Sequence, residues 1–339
     1  MATSLPHIVI AGTGAMACLF GARLSAAGVP VTLLGTWADG LKALGRDGIR
    51  VVEPDGRENA YPVRTASDPG KVQMSHLALV CVKSWQTERA SRQLAGCLTR
   101  DGVALTLQNG MGNFETLENL LGPQRAALGT TTAGANMLAP GIVRPGGDGV
   151  ISLEDHKRTR LLMELFSSSG FAVQKVADPV ELLWGKLVIN AAINPLTALL
   201  NIPNGELLER PQARSLMGAA AKEAAAVAAA RGIRLPYPDP AAAVENVAAR
   251  TAANLSSMLQ DILRGSPTEI DAISGAIVQA GEAADLQVPV NRTLWSLVKA
   301  LEESSSKPTV HRRRKYKRLE KNKSQFPAGY MVKSNNPSA

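Results

Sequence analysis

The sequence predicts an α/β fold over residues 1–177, an all-α domain over 178–305 and a basic extension over 306–339. Two observations carry the α/β half. Short apolar runs at 8–11, 31–34, 77–82, 103–107 and 127–131 alternate with helical stretches, the pattern of a parallel sheet covered on both faces. A glycine-rich turn follows the first run directly and opens a helix. A third observation sets the other half apart: beyond Asp178 the segments are Ala-rich and helical, with no strand-length β-branched run among them.

Taken in order, residues 7–28 give a strand, the glycine turn and a helix with Leu19, Leu24 and Ala27 on its inner side, closed by Gly28 as C-cap. Pro140, Gly141, Pro145, Gly146 and Gly147 break up a hairpin or meander, followed by a helix at 158–166 and a last strand at 172–175. Asp178 can cap the next helix, Pro179 suits its first turn, and Glu181 stands at capping-box spacing. Further helices are expected at 211–231, 239–254 (capped by Asp239 before Pro240), 257–263, 268–286 and 291–303.

A chain of 339 residues, 45% hydrophobic, has enough material for two domains and a sizeable core. No apolar run approaches the roughly 20 residues that span a bilayer, so no membrane role is expected. The start MATSLPHIVI has no basic leader segment, which points to the cytoplasm. Cys18, Cys81 and Cys97 are an odd set without metal-ligand spacing, and the four histidines are scattered, so reduced thiols and no metal are expected. The net charge of +8 is uneven: residues 306–339 hold ten Lys/Arg and one acid, leaving 27 basic and 28 acidic residues elsewhere. That tail reads as disordered and solvated, with nucleic acid as a partner only through it. A monomer or a homodimer fits the rest.

Gly12-Thr13-Gly14-Ala15-Met16-Ala17 has the GxGxxA form. Its first glycine allows a tight turn, its second lets backbone N–H groups approach a pyrophosphate, and Ala17 lets the helix pack close to the sheet, giving a Rossmann dinucleotide site. At the end of the second strand, LLGTWADGLK offers no carboxylate to repel a 2′-phosphate, and Thr36 and Lys42 can help to bind one. The balance favours NADPH over NADH. Lys83 in CVKSWQ and Asn109 in LQNGMG end consecutive strands at the carboxyl edge of the sheet, where open α/β folds bind ligands. Asn109 would meet the nicotinamide ribose and the substrate together, although an Asn-Gly turn is also a common loop signal.

On the helix after Asp178, Lys186, Asn190 and Asn194 fall at i, i+4 and i+8, a polar stripe on an apolar element. Burial energy gives no reason for such a stripe, whereas a small oxygen-rich ligand does; the alternative is a solvated edge with a snorkelling lysine. Ser257 and Gln260 have capping-box spacing, and Glu269 stands in the first turn of an expected helix, where the dipole alone would suit it.

GTGAMA, CVKSWQ, LQNGMG, GTTTAGA, ELLWGKLVINAAINPLTALLNIPNGEL and SSMLQDILRGSPTEID occur in this order over residues 7–303. Together they resemble the ketopantoate reductase (2-dehydropantoate 2-reductase) family, which makes D-pantoate with NADPH for pantothenate and coenzyme A. The resemblance implies a Rossmann domain, a helical domain of the 6-phosphogluconate dehydrogenase type and an active site in the cleft. It implies Lys186 as catalytic lysine, Glu269 as active-site carboxylate, and Asn109, Asn190, Asn194, Asn204 and Ser257 as substrate contacts. Residues 12–17, Lys83, Asn109 and Ala135 would hold the cofactor. Thr36 stands where the family commonly has an arginine for the 2′-phosphate, and the tail has no counterpart. Two other readings remain open: a reductase of the same build for another 2-oxo acid, and an NADP-binding regulator with a nucleic-acid-binding tail. The second has no need of the Lys186 stripe.

Overall fold

The computed structural model describes residues 5–147 and 149–306; the tail reading falls on residues beyond them. Twelve strands run through the described residues: β1 Ile8–Ala11, β2 Val31–Leu34, β3 Ile49–Val52, β4 Glu58–Tyr61, β5 Arg64–Ala66, β6 Ser75–Val80, β7 Leu98–Thr106, β8 Ala126–Thr131, β9 Ala135–Ala139, β10 Ile142–Pro145, β11 Val150–Glu154 and β12 Ala172–Val176. Eight of them form one sheet in the order β12-β11-β8-β7-β6-β1-β2-β5. Its strand pairs are parallel except β8 with β11.

The two-residue period of the strands sends alternate side chains to opposite faces. Ile8 and Ile10 of β1 join Leu33, Leu79 and Leu105 in one core. Val9 and Ala11 join Leu34, Ala78, Val80 and Ala104 in another. The helix Ala15–Ala26 covers the first face, where Phe20 lies 5.1 Å from Phe171 and 5.8 Å from Phe166 between ring centroids. β1 has β2 on one side and β6 on the other, so the chain order reverses beside it. Its carboxyl end is therefore the crevice at which open α/β sheets bind ligands.

Four strands, β3, β4, β5 and β11, escaped the sequence reading. β3, β4 and β5 read IRVV, ENAY and RTA, none of them an unbroken apolar run, and β11 reads VISLE directly after the glycine-rich break. β3 finds its partner β10 some ninety positions along the chain, which places it in a second sheet of order β4-β3-β10-β9. The expected hairpin around Gly141 is the antiparallel pair β9–β10.

Beyond β12 the regular elements among the described residues are all helices. Helix Pro179–Leu200 lies at the centre of the second core, with Trp184, Ala191 and Ala192 buried alongside Ala220, Ala221 and Ala224 of Pro211–Ala230. Those small side chains allow the two helices to approach closely. Pro179–Leu200 is 22 residues long and apolar enough to cross a membrane, which the sequence reading had overlooked. Its most apolar stretch is 72% buried inside the fold, as befits the central helix of a core.

Local capping confirms some expectations and corrects others. Asp178 Oδ1 accepts from Val180 N at 2.7 Å, but Glu181 pairs with Arg234 at 3.5 Å instead of closing a capping box. Asp239 caps its helix as expected, yet that helix ends at Arg250, four residues early, where Thr251 leaves helical geometry. The helix expected over 268–286 opens instead with a π-helical turn, Asp271–Gly275, and continues as Ala276–Ala283. Glu269 therefore precedes a π turn, a feature frequent at functional sites, and is not in an ordinary first turn.

Candidate active site

Gly12 leaves β1 with φ +132°, and its N–H donates to Leu34 O at 2.8 Å. A Cβ there would lie 2.9 Å from Cys81 O, so the turn admits glycine alone. Thr13 is buried under the loop after β2, against Gly35, whose own Cβ would meet Thr13 Cγ2 at 2.9 Å. Gly14 is the N-cap of the helix Ala15–Ala26 and offers its backbone no side-chain cap. A Cβ on Gly14 would meet nothing within 4 Å. No side chain caps the first N–H groups of this helix, and the space beside Gly14 is open, which suits an anion. Ala17 is fully buried, and Ala15 and Met16 pack against the core beneath. Thr36 is exposed at the end of β2, with Trp37, partly exposed, leading into the helix Ala38–Asp47.

Two loops on the carboxyl edge of the sheet meet the helical half. Lys83 Nζ stands 2.5 Å from Asp261 Oδ2 and 3.6 Å from Glu269 Oε2. Ser84 N donates to Glu269 Oε1 at 2.9 Å. Met111 N donates to Ala272 O at 2.9 Å, and Gly110, with φ +81°, lies so close to Ala272 that a Cβ would come within 2.7 Å. Asn109 is held through its backbone oxygen, which accepts from Asn113 Nδ2 at 3.0 Å. Its half-buried amide shows no hydrogen bond among the described residues. Ala135, partly buried, begins β9 of the second sheet and packs against the core beneath the glycine turn.

Lys186 reaches the sheet from the long helix and donates from Nζ to Thr131 O at 2.6 Å, at the carboxyl end of β8. Burial pulls its pKa down to about 8, while the charge of Glu269 acts to raise it. The ammonium is therefore mainly protonated at neutral pH yet able to release a proton. Asn190 and Asn194 follow on the same helix, the first half-buried and the second nine-tenths enclosed. Asn194 O accepts from Thr197 Oγ1, which also donates to Ser256 Oγ at 2.7 Å. Asn204 donates from Nδ2 to Thr251 Oγ1 at 2.9 Å, and its buried Oδ1 has no partner among the described residues. Ser257 is exposed in the first turn of the helix Ser257–Arg264. The cap is Ser256, whose Oγ accepts from Leu259 N at 3.1 Å, so the expected Ser257–Gln260 capping box gives way to a register one residue earlier.

Among the described residues there is no His/Cys/Asp/Glu cluster suited to a metal. The three cysteines are unpaired, and burial pushes the Cys18 thiol up to about 12. Two surface hollows of about 390 and 350 Å³ lie away from this edge and gather no catalytic set.

Sequence reasoning passed over Asp261, 2% exposed, and the Thr131 carbonyl. Asp261 had a signal: it falls three residues after buried Met258, on the apolar stripe of its own helix. The Thr131 oxygen had none, because a main-chain acceptor is independent of side-chain identity.

The glycine turn packs on Cys81, and Glu269 and Lys186 reach the same edge of the sheet from the helical half, at Ser84 and Thr131; Asn190 and Asn194 lie further along the Lys186 helix, and Asn204 is tied to Thr251. Residues 8–158 match the family described as ketopantoate reductase PanE/ApbA, and residues 180–302 match its C-terminal domain. A 2-dehydropantoate 2-reductase of Halobacterium salinarum is 36% identical over 298 residues, covering 86% of this chain and 98% of the relative. That of Archaeoglobus fulgidus is 36% identical over 302 residues, covering 87% and 98%. A crystal structure of a PanE/ApbA family ketopantoate reductase from Ralstonia eutropha JMP134 superposes with a TM-score of 0.83 at 33% identity, covering 89% of this chain and 100% of that one. A ternary structure of D-mandelate dehydrogenase with NADH and anilino(oxo)acetate gives 0.82 at 28% identity, covering 89% and 100%. With both of its halves matched and relatives aligned over nearly their full length, this chain belongs to the ketopantoate reductase family, whose members work with a nicotinamide cofactor.

Proposed function

We propose that this chain reduces 2-dehydropantoate to pantoate with NADPH, and that Lys186 supplies the proton. The observation that carries this reading is the Lys186 ammonium, pulled to about 8 by burial with Glu269 acting on it, at the sheet edge that also bears the glycine turn. The strained Gly12 backbone and the uncapped helix start at Gly14 fit a pyrophosphate. Residues 12–17 would hold it, with Lys83, Asn109 and Ala135 along the rest of the dinucleotide. A bound nicotinamide supplies a hydride to the 2-keto carbon. As the carbon–oxygen π bond breaks, negative charge grows on the oxygen, and Lys186 hydrogen-bonds that oxygen and gives it a proton. One Lys186 N–H is committed to Thr131 O, which aims the remaining two. Glu269 keeps the lysine charged, and Asn190, Asn194, Asn204 and Ser257 would hold the substrate carboxylate and hydroxyl.

A sign follows for pH. Lys186 must be protonated to act, so turnover in the reductive direction is expected to hold below about pH 8 and to fall as pH rises through it. A kcat/KM profile over roughly pH 6–10, which reports groups of the free enzyme, checks this; a profile that does not fall even above the ordinary lysine value of ~10.4 would remove Lys186 from the proton-donor role.

NADPH is preferred in this reading because Thr36 presents no negative charge at the 2′ position. Thr36→Asp is expected to move the ratio of kcat/KM for NADPH over NADH toward NADH by at least about tenfold, through repulsion of the 2′-phosphate. An unchanged ratio would place the 2′-phosphate elsewhere.

A second substrate reading has one observation in its favour, the close superposition on D-mandelate dehydrogenase. Fold does not decide between substrates. Steady-state assay of ketopantoate against bulkier 2-oxo acids, with NADPH and NADH in turn, separates the two. A higher kcat/KM for an aromatic 2-oxo acid would overturn the ketopantoate assignment.

A further inference from the structure

We propose that Asp261 is a positioning residue: by holding the Lys83 ammonium it keeps that cation off Glu269 and leaves the Glu269 charge to act on Lys186. The inference deepens the reading above and rests on it only where turnover is the readout. Its basis is a set of five charges at one seam between the two halves. Lys83 stands 2.5 Å from Asp261 Oδ2 and 3.6 Å from Glu269 Oε2. Asp261 Oδ1 has Arg264 at 3.3 Å, so each of its oxygens faces a cation. Glu269 Oε1 is committed to Ser84 N, leaving Oε2 as the oxygen free to respond to charge. Lys186 is the fifth, with Glu269 acting on it.

Asp261 is built not to move. It is 2% exposed, on a helix whose Met258 and Leu259 are buried and whose Ser256 cap is tied to Thr197. Lys83 is the opposite, a point charge on a flexible stem that turns to the acid on offer. The difference between 2.5 and 3.6 Å records which acid wins. Without the Asp261 charge, Lys83 has Glu269 as its nearest acid and closes on it, because the buried Glu269 carboxylate attracts the one flexible cation within reach. A Glu269 so neutralised no longer favours the proton on Lys186.

The test reads Lys186 twice, in folded protein checked by near-UV circular dichroism. In Asp261→Asn, the alkaline limb of kcat at saturating NADPH and ketopantoate is expected to move to lower pH by about one unit. The pH at which an amine-selective reagent begins to label Lys186, followed by mass spectrometry, is expected to move with it. In Lys83→Met/Asp261→Asn the labelling onset is expected to return to the unmodified position, since the cation that captured Glu269 is gone; labelling alone is read there, because Lys83 also lies along the dinucleotide. Asp261→Glu should recover part of the shift. A folded Asp261→Asn with unmoved labelling, differing only in stability, overturns the proposal and makes Asp261 a structural anchor. If Asp261→Asn does not fold, Lys83→Met alone decides: a labelling onset held or raised supports the proposal, and a lowered one overturns it. Labelling that shifts while the kcat limb does not would leave the proposal standing and sink the proton-donor reading instead.

Discussion

Replacing Lys186 by alanine is expected to lower kcat by about a thousandfold, within the range seen when a general acid and its electrostatic stabilisation are lost together. Cofactor affinity should change little, since the lysine extends from the helical half to Thr131 O and not to the glycine turn. Stopped turnover with an intact NADPH dissociation constant, measured by nucleotide fluorescence, is the expected pair of results. Near-normal kcat would remove Lys186 from the chemistry. Arginine at this position should not rescue, because its proton is held too tightly to be given up near neutrality. The same variant has a consequence for stability. The lysine is lowered from 10.5 to about 8 in the folded protein, so between those values the unfolded chain binds more protons and stability rises with pH. That rise should vanish in Lys186→Ala, as unfolding curves on either side of this window would show.

The second large effect is expected at the glycine turn, where two substitutions separate folding from binding. Gly12→Ala forces a side chain into φ +132° and within 2.9 Å of Cys81 O, so the loop after β6 must shift. Strain of this kind costs on the order of 1–3 kcal/mol, and the displaced turn should no longer bind NADPH measurably. Gly14→Ala places its methyl in open space at an ordinary backbone angle. It should leave the melting temperature within a degree or two, as surface changes do, while weakening NADPH at the point of closest phosphate approach. If Gly14→Ala bound NADPH normally, the helix start would not be the pyrophosphate site.

Much of this was legible because the chemistry follows regular periods. The GxGxxA turn lies in one continuous segment, and so does the Lys186, Asn190, Asn194 stripe on a single helix. Strands buried on both faces announce themselves as apolar runs, as β1, β2 and β6 do. What stayed hidden depends on distant pairing. β3 pairs with its neighbour β4 but joins the second sheet through β10, and neither IRVV nor IVRP says that the two will meet. The π turn at Asp271–Gly275 wraps against the loop at Gly110, a contact between segments read separately in the sequence. Asp261 was visible as an acid on an apolar stripe, but only the fold shows that it meets Lys83. Ser256 and Ser257 differ by one position, and adjacent serines give local reasoning no means of choosing the cap.

The contacts that gather this site join positions far apart along the chain: Lys83 with Asp261, 178 residues apart, and Ser84 with Glu269, 185 apart. Contacts of that span close late, because the loop entropy between them must be overcome before they contribute. During synthesis the α/β half therefore emerges and can fold long before Glu269 exists to receive the Ser84 amide. Catalytic competence should be the last property gained in refolding and the first lost in denaturant, with helical circular dichroism still near its native value when turnover has gone. For a cell, such an order means that a half-made or loosened chain holds its sheet before it holds its site.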